Sequence, residues 1–279
     1  MLYLTKAKNA KEKQKMKRII ALVLALVTFA CCAFTLTSCK SEEELVIGIT
    51  YFAPMNYKDD SGKLVGFETE FAEAVCKELG VKAKFQEIEW EAKETELNGK
   101  TIDCIWNGMT ITEERAQNMA ISTPYMKNKQ VLVVKAENLG QYTADADLTG
   151  KTLVAEKKSA GEDAAQTDEY LKKATYTGVD TMAKALLEVS SGTSDACVID
   201  YVTALGSIGA GTDYENLVVV EALTFGEEEQ YGIAFRKGEA DAQLVADVNA
   251  AIAKLAEDGT LYAIAEKYNL EDYLLVGNK

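Results

Sequence analysis

The 279-residue sequence contains no histidine. Ser-His-Asp and Cys-His catalytic arrangements are therefore excluded, as are zinc sites built on imidazole. Proline is nearly absent, with two residues, and no serine- or proline-rich stretch occurs, so no long linker is expected. Basic residues are outnumbered by acidic ones, 30 to 44, for a net charge of −14. Nucleic acid is a poor partner for such a chain, because a phosphate backbone needs a basic face. Cys76, Cys104 and Cys197 stand in apolar runs at wide spacing with no CxxC motif, and read as buried small hydrophobes. The glycine-rich GSIGAG at 206–211 lacks the P-loop lysine and the dinucleotide spacing, and reads as a loop. No cofactor and no metal site is expected.

The N-terminus differs from the rest. Lys17 and Arg18 precede an apolar run from Ile19 to Phe34, which gives way to small residues. That is the three-part pattern of a secretory signal peptide, and the run is short for a spanning helix of about 20 residues. Leu36-Thr37-Ser38-Cys39 resembles a bacterial lipobox, in which cleavage leaves Cys39 as a lipidated (palmitate-bearing) N-terminus. An uncleaved anchor is the alternative, and Met16 is an alternative start. Residues 1–38 carry seven basic residues and one acidic, so the remaining chain has a net charge of −20. Residues 39–44 read as a polar tether.

From Leu45 onward, apolar runs of strand length alternate with helical patterns. LVIGIT (45–50) is followed by a turn and then by a helix with Phe67, Phe71, Ala72, Val75, Cys76 and Leu79 on one face, closed by Gly80. VKAKFQEI is the next strand, a helix ends near Leu97, and TIDCIW is a third strand. The pattern repeats: KTLVAE (151–156) as a strand, SAGEDAAQTDEYLKKA as a helix and ATYTGV as a strand. A helix with Met182, Ala185, Leu186 and Val189 on one face follows, then DACVID (195–200). Alternation of this kind predicts parallel sheets covered by helices. Two lobes of like construction are expected, joined by crossings at NKQVLVV (128–134) and EQYGIAF (229–235), with a cleft at the strand ends.

One stretch invites a chemical reading. In Asn107-Gly-Met-Thr-Ile-Thr-Glu-Glu-Arg115, Thr112 can cap a helix, Glu114 suits its first turn, and Arg115 reaches the same spot. Together with GKLVGFETEFAEAVCKELG, STPYMKNKQVLVV, LTGKTLVAEKKSAGEDA, DACVIDYVTA and YGIAFRKG, this stretch resembles, in order and spacing, the amino-acid-binding members of the bacterial extracellular solute-binding proteins. These serve ABC importers. The resemblance covers nearly all of residues 45–270. It implies an α/β type II periplasmic-binding-protein fold, with parallel-rich sheets flanked by helices and a two-strand hinge. Residues 45–127 and 229–279 would form the first lobe and residues 128–228 the second.

The resemblance also implies residue roles. Arg115 would grip the ligand's α-carboxylate, since a guanidinium matches a carboxylate with two parallel hydrogen bonds. Ser159, Ala160 and Gly161 would meet the same carboxylate from the other lobe at a helix start. Many relatives have Gly-Ser-Ser or Gly-Thr-Thr where this chain has Lys158-Ser159-Ala160, a departure that removes one hydroxyl and leaves the backbone donors. Asp200 would hold the α-ammonium, helped by the Gly108 carbonyl and the Thr110 hydroxyl, with Asn107 and Met109 along the same wall. Phe52 and Trp90 fall where relatives place walls beside the ligand side chain, though either fits a core position. Glu156 either faces the ligand, favouring a cationic or hydrogen-bonding side chain, or points to water. Trp106 faces the core or the cleft edge.

The expected protein is a monomeric, lipid-anchored extracytoplasmic receptor that binds an L-amino acid, polar or cationic, and hands it to an ABC transporter permease. Two other classes remain open on the sequence. One is an enzyme on the same fold, such as a dehydratase, which would need a proton-transfer group beyond those used in binding. The other is a ligand-sensing module of a receptor.

Overall fold

Residues 43–277 are described by the structure, a computed structural model. The leader at 1–38 and the lipidation residue Cys39 lie outside that range. Strand β1 (Glu44–Ile49) begins one residue inside the expected tether. A small hairpin of β2 (Tyr57–Lys58) and β3 (Leu64–Val65) leads to helix α1 (Phe67–Leu79). This helix carries Glu68 and Glu70 in its first turn, and left-handed Gly80 ends it, as the sequence pattern requires. Gly66, just before it, has φ 128°, and a Cβ there would lie 2.2 Å from the Met55 carbonyl oxygen. Only glycine fits that entry.

Next come β4 (Lys82–Glu87), a 3-10 turn at Trp90–Ala92, helix α2 (Lys93–Asn98) and β5 (Cys104–Ile105). The expected strand TIDCIW is thus trimmed to two residues. Asp103 turns its carboxylate onto the Val46 N–H at 2.9 Å, so a side chain replaces a ladder bond there. Helix α3 (Glu113–Asn118), β6 (Met119–Ile121) and the ten-residue β7 (Met126–Lys135) follow.

The second half contains β8 (Thr152–Glu156), α4 (Ala160–Thr167) and β9 (Thr175–Val179), then α5 (Met182–Ser191), β10 (Ala196–Asp200) and α6 (Tyr201–Ser207). Helix α4 stops short of the 159–174 expectation. The Asp168 carboxylate accepts from the N–H groups of Tyr170 and Leu171 and starts a separate 3-10 turn, a local bond that competes with helix continuation. Strands β11 (Leu217–Val219), β12 (Phe225–Tyr231) and β13 (Ala234–Arg236) precede α7 (Glu239–Glu257) and α8 (Thr260–Lys267).

The strands form two main sheets. The first has the order β4-β1-β5-β13-β6, the second β11-β7-β10-β8-β9 with β12 also on β7. Both are mixed rather than wholly parallel. β1 runs parallel to β4 and β5, and β8 to β9 and β10. The strands next to the crossings, β7, β12 and β13, pair antiparallel. The chain crosses from the first sheet to the second between β6 and β7, and back between β12 and β13. The two crossings lie side by side, with Ser122 N–H on Ile233 O and Tyr125 N–H on Tyr231 O. This is the two-strand hinge of a two-lobed α/β fold.

Phe67, Phe71 and Val75 of α1 are fully buried with Ile47 and Ile49 of β1 and with Val248 and Ile252 of α7. On the other face of the first sheet, Trp90, Leu97, Ile102, Ile105 and Met109 form a separate apolar cluster. Trp106 lies in the core, edge-on to Phe71 at 5.0 Å. Cys76, Cys104 and Cys197 are buried free thiols, raised above the usual range by desolvation. No described helix is long and apolar enough to cross a membrane.

Candidate functional site

The loop after β5 is held from behind. The Asn107 side chain accepts from the Thr50 N–H at 2.9 Å and the Thr50 hydroxyl at 2.6 Å, and donates to the Thr50 carbonyl at 3.0 Å. All its polar atoms are thereby committed to tying the ends of β1 and β5 together. Gly108 has φ 55° and gives its N–H to the carboxylate of Glu68 at 2.8 Å. Glu68 also accepts from Asn56 and from the Tyr125 hydroxyl, and burial pushes its carboxyl up to about 7.

Thr112 caps α3 by accepting the Arg115 N–H at 3.2 Å. That cap fixes the first helical turn, and with it the direction of the Arg115 side chain. Arg115 is 7% exposed. It donates to the Thr110 carbonyl at 2.8 Å and, across to the second sheet, to the Lys158 carbonyl at 3.1 Å. Two donors of five are used in this way. Burial is the chief influence on the guanidinium and lowers its pKa, while Asp163, Asp200 and Glu229 oppose that shift.

The second sheet supplies the facing wall. Glu156 ends β8, and Lys158 turns with φ 58°, a left-handed conformation uncommon for a residue with a Cβ. This turn points the Lys158 carbonyl at the first lobe, where Arg115 and Lys93 both donate to it. Ser159 caps α4 through the Glu162 N–H at 3.1 Å. Glu156 is buried, so its reading as a water-facing group is ruled out. Desolvation first, and then the Asp200 charge, push its carboxyl up to about 8.

Asp200 ends β10, where strand register puts it opposite Gln130 of β7. On the other side of β7, Glu229 of β12 is paired with Asn128. The two side-chain amides bridge the two carboxylates. Asn128 donates to Asp200 at 2.6 Å and to Glu229 at 3.0 Å, and Gln130 donates at 2.6 and 2.9 Å. The Thr110 hydroxyl donates to the same Glu229 oxygen at 3.1 Å. Burial and then the nearby Glu229 charge push Asp200 up to about 7.

A small enclosed cavity between the sheets, of about 10 Å³, is lined by Trp90, Asn107, Gly108, Thr110, Arg115, Glu156, Ser159, Ala160, Met182 and Asp200. Nine of the twelve residues expected to bind ligand therefore meet around one space. Three do not line it. Met109 is fully buried among Trp90, Leu97 and Ile105, because strand-like alternation turns it away from Gly108 and Thr110. Gly161 faces β10, where a Cβ would come within 2.9 Å of the Val198 carbonyl oxygen. Phe52 lines a neighbouring groove of about 440 Å³ with Tyr51, Tyr57, Thr203 and Tyr214. Its ring tip would still contact a Cβ at Gly108, at 3.1 Å, so it divides groove from cavity.

Sequence reasoning missed Lys93, Met182, Asn128, Gln130 and Glu229. Glu229 sits in a run of three glutamates, and only the β12–β7 register distinguishes it. Lys93 reads as a surface lysine but is 3% exposed. Its ammonium lies 4.6 Å from the Trp90 ring and bonds the carbonyls of Trp90 and Lys158. Burial is the main cause of its pKa falling to about 8. Met182 was assigned to the core face of α5, and it does sit there, at the end nearest the cavity. No cluster of His, Cys, Asp or Glu suited to a metal ion occurs among the described residues.

Comparison with known proteins gives a consistent picture. Residues 45–271 match the family model described as bacterial extracellular solute-binding proteins, family 3. The chain is 33% identical over 235 residues to the L-cystine-binding protein TcyJ of Escherichia coli (strain K12), covering 84% of this chain and 85% of that protein. Among solved structures it is similar to an ancestral arginine-binding protein bound to arginine, with a TM-score of 0.72 and 33% identity over 81% of this chain and 97% of the other. It is also similar to the ancestral amino acid-binding protein AncCDT-1, a precursor of cyclohexadienyl dehydratase. There the TM-score is 0.70 and the identity 31%, over 81% of this chain and 95% of the other.

Proposed function

The chain belongs to the bacterial extracellular solute-binding proteins, family 3, and from that premise we propose that it binds a polar or cationic L-amino acid between its lobes. We further propose that it delivers this ligand to an ABC importer permease, as a monomer tethered to the membrane through lipid on Cys39. The lobes would be 45–127 with 229–279, and 128–228. An extracytoplasmic location and a role as a receptor for amino-acid import follow from the family.

The observation that carries the reading is the convergence of Arg115 and Asp200 on one cavity from opposite lobes. The α-carboxylate of the ligand takes donors of Arg115 and the N–H groups at the start of α4. Each charge-assisted bond contributes about 1.5–3 kcal/mol. The α-ammonium is held by Asp200 with the Gly108 carbonyl and the Thr110 hydroxyl. A cavity of about 10 Å³ holds roughly one water, so the lobes must part at the hinge to admit an amino acid. Parting breaks the Arg115 bond to the Lys158 carbonyl, and the ligand carboxylate replaces it. Closure around ligand then presents both lobe surfaces to the permease in one register.

The test is calorimetric titration of the chain from Lys40 onward, folded and freed of carried-over ligand, against the common amino acids with ornithine, citrulline and cystine. A dissociation constant in the micromolar range or tighter is expected for at least one of them. Silence across the panel would end the amino-acid reading. Arg115→Ala is expected to abolish binding of every amino acid, and retained affinity would remove this residue from the site.

A further inference from the structure

Most polar side-chain groups around the cavity are already committed to other parts of the protein. The Asn107 amide is taken by Thr50, the Thr110 hydroxyl by Glu229, and Asp200 by two amides. Two residues lining the cavity each have a buried polar atom with no partner among the described residues: Nε1 of Trp90 and Oε1 of Glu156. One comes from each lobe, and both residues are deeply buried, at 4% and 2% exposure. An indole N–H can only donate, and leaving it buried without an acceptor costs about 1–3 kcal/mol.

The surroundings of Trp90 specify the acceptor further. The Lys93 ammonium lies over its ring, and the nearby Arg115 charge adds to the cost of the Lys93 charge. A cationic group brought to the indole would meet that positive charge and still leave Nε1 unpaired. An acceptor oxygen gains from both. Glu156 faces the same space with the opposite need. The Met182 N–H already bonds its carboxyl, and the unpaired Oε1 accepts a donor in the ionised form, which such a donor itself favours against the cost of burial.

We infer that the bound amino acid has a side chain ending in a hydrogen-bond acceptor and donor side by side. The acceptor is taken by Trp90 Nε1–H and the donor by Glu156. A carboxamide, a ureide, or a second amino-acid head has that chemistry, whereas a bare ammonium or guanidinium has only its donor half. Trp90 thereby becomes a specificity-determining residue through its nitrogen, beyond the wall its ring provides. The inference rests on the amino-acid reading of the cavity and sharpens it.

Citrulline and arginine make the deciding comparison, since they match in length and differ in a terminal carbonyl against a terminal iminium. Titration of the wild-type chain from Lys40 onward is expected to favour citrulline by about ten-fold or more, one orphan bond's worth. Glutamine and cystine, run alongside, distinguish carboxamide and double-headed ligands from ureides, and the tightest of the three identifies the source. Trp90→Phe keeps the ring and removes the N–H. It is expected to weaken acceptor-bearing ligands by about ten-fold and to bring the citrulline-to-arginine ratio close to one. Arginine or lysine binding the wild type as tightly as all three acceptor-bearing ligands would overturn the inference and leave the receptor reading standing. A ratio unchanged in Trp90→Phe would overturn it as well. Failure of every amino acid to bind would remove the receptor reading, and this inference with it.

Discussion

At the scale of single residues, the site depends on side chains that never touch its cavity. Glu68 is fully buried in the first turn of α1, a position where an acidic residue would ordinarily be explained by the helix dipole alone. Its carboxylate instead gathers the Gly108 N–H, the Asn56 amide and the Tyr125 hydroxyl, and so fixes the backbone that lines the cavity. Glu68→Ala would strand three buried donors, each worth about 1–3 kcal/mol when unpaired. Thermal melting should therefore fall by well over 5 °C, at about 2–4 °C per kcal/mol for a chain of this size. Glu68→Gln keeps the volume and should fall less; an equal loss for the two would point to packing rather than hydrogen bonding. Arg115 and Asp200 were legible in the sequence because they follow a strand end and sit in a recognisable string. Lys93 and Glu229 were not, since nothing adjacent in sequence distinguishes them from solvated charges.

At the scale of elements, caps aim the side chains that line the candidate site. Arg115 is the third residue of α3, so its direction depends on a first turn held by the Thr112 hydroxyl. Thr112→Ala removes that bond at a cost of about 1 kcal/mol, and fraying there should weaken ligand affinity more than it lowers the melting temperature. Thr112→Ser should restore both, and a serine variant as weak as the alanine would dissociate the cap from the site. Helix α1 and the strands β1, β8 and β10 were legible from periodicity, because each has a continuous apolar face. The end of α4 was not, because Asp168 draws two backbone N–H groups to itself where the 3.6-residue pattern runs on. Nor was the antiparallel part of each sheet, since strand direction follows from where the chain crosses between lobes.

At the scale of the molecule, three buried acids couple folding to pH. Glu68 and Asp200 are pushed up to about 7 and Glu156 to about 8, in each case chiefly by desolvation. For an acid raised above its unfolded value, near 4.5 for glutamate and 3.8 for aspartate, the folded chain binds more protons through the interval between the two values. The stabilising contribution of these three acids is therefore full below about pH 4 and is lost as pH rises through about 7 to 8. Lys93, lowered to about 8, acts in the opposite direction only above that pH. The melting temperature should fall by several degrees between pH 5 and pH 8, and Glu156→Gln should flatten part of that slope. A flat profile in the wild type would mean that these carboxyls are hydrated in solution.

The sequence alone determined the export leader as an expectation, the α/β alternation, the family resemblance and the two charged residues expected to grip a zwitterion. These are legible because periodicity and short strings encode local structure, and because a strand-end loop announces itself within a few residues. Tertiary structure alone decided which groups remain unpaired in the cavity and which carboxylates share their donors. Asp200 and Glu229 lie 29 positions apart and are joined only through the registers of β10 and β12 on β7. Trp90 follows β4 of the first sheet and Glu156 ends β8 of the second, and their need for a partner exists only once burial has removed water. Desolvation is a property of the whole fold, so the pKa shifts and the ligand chemistry they favour could not be read along the chain.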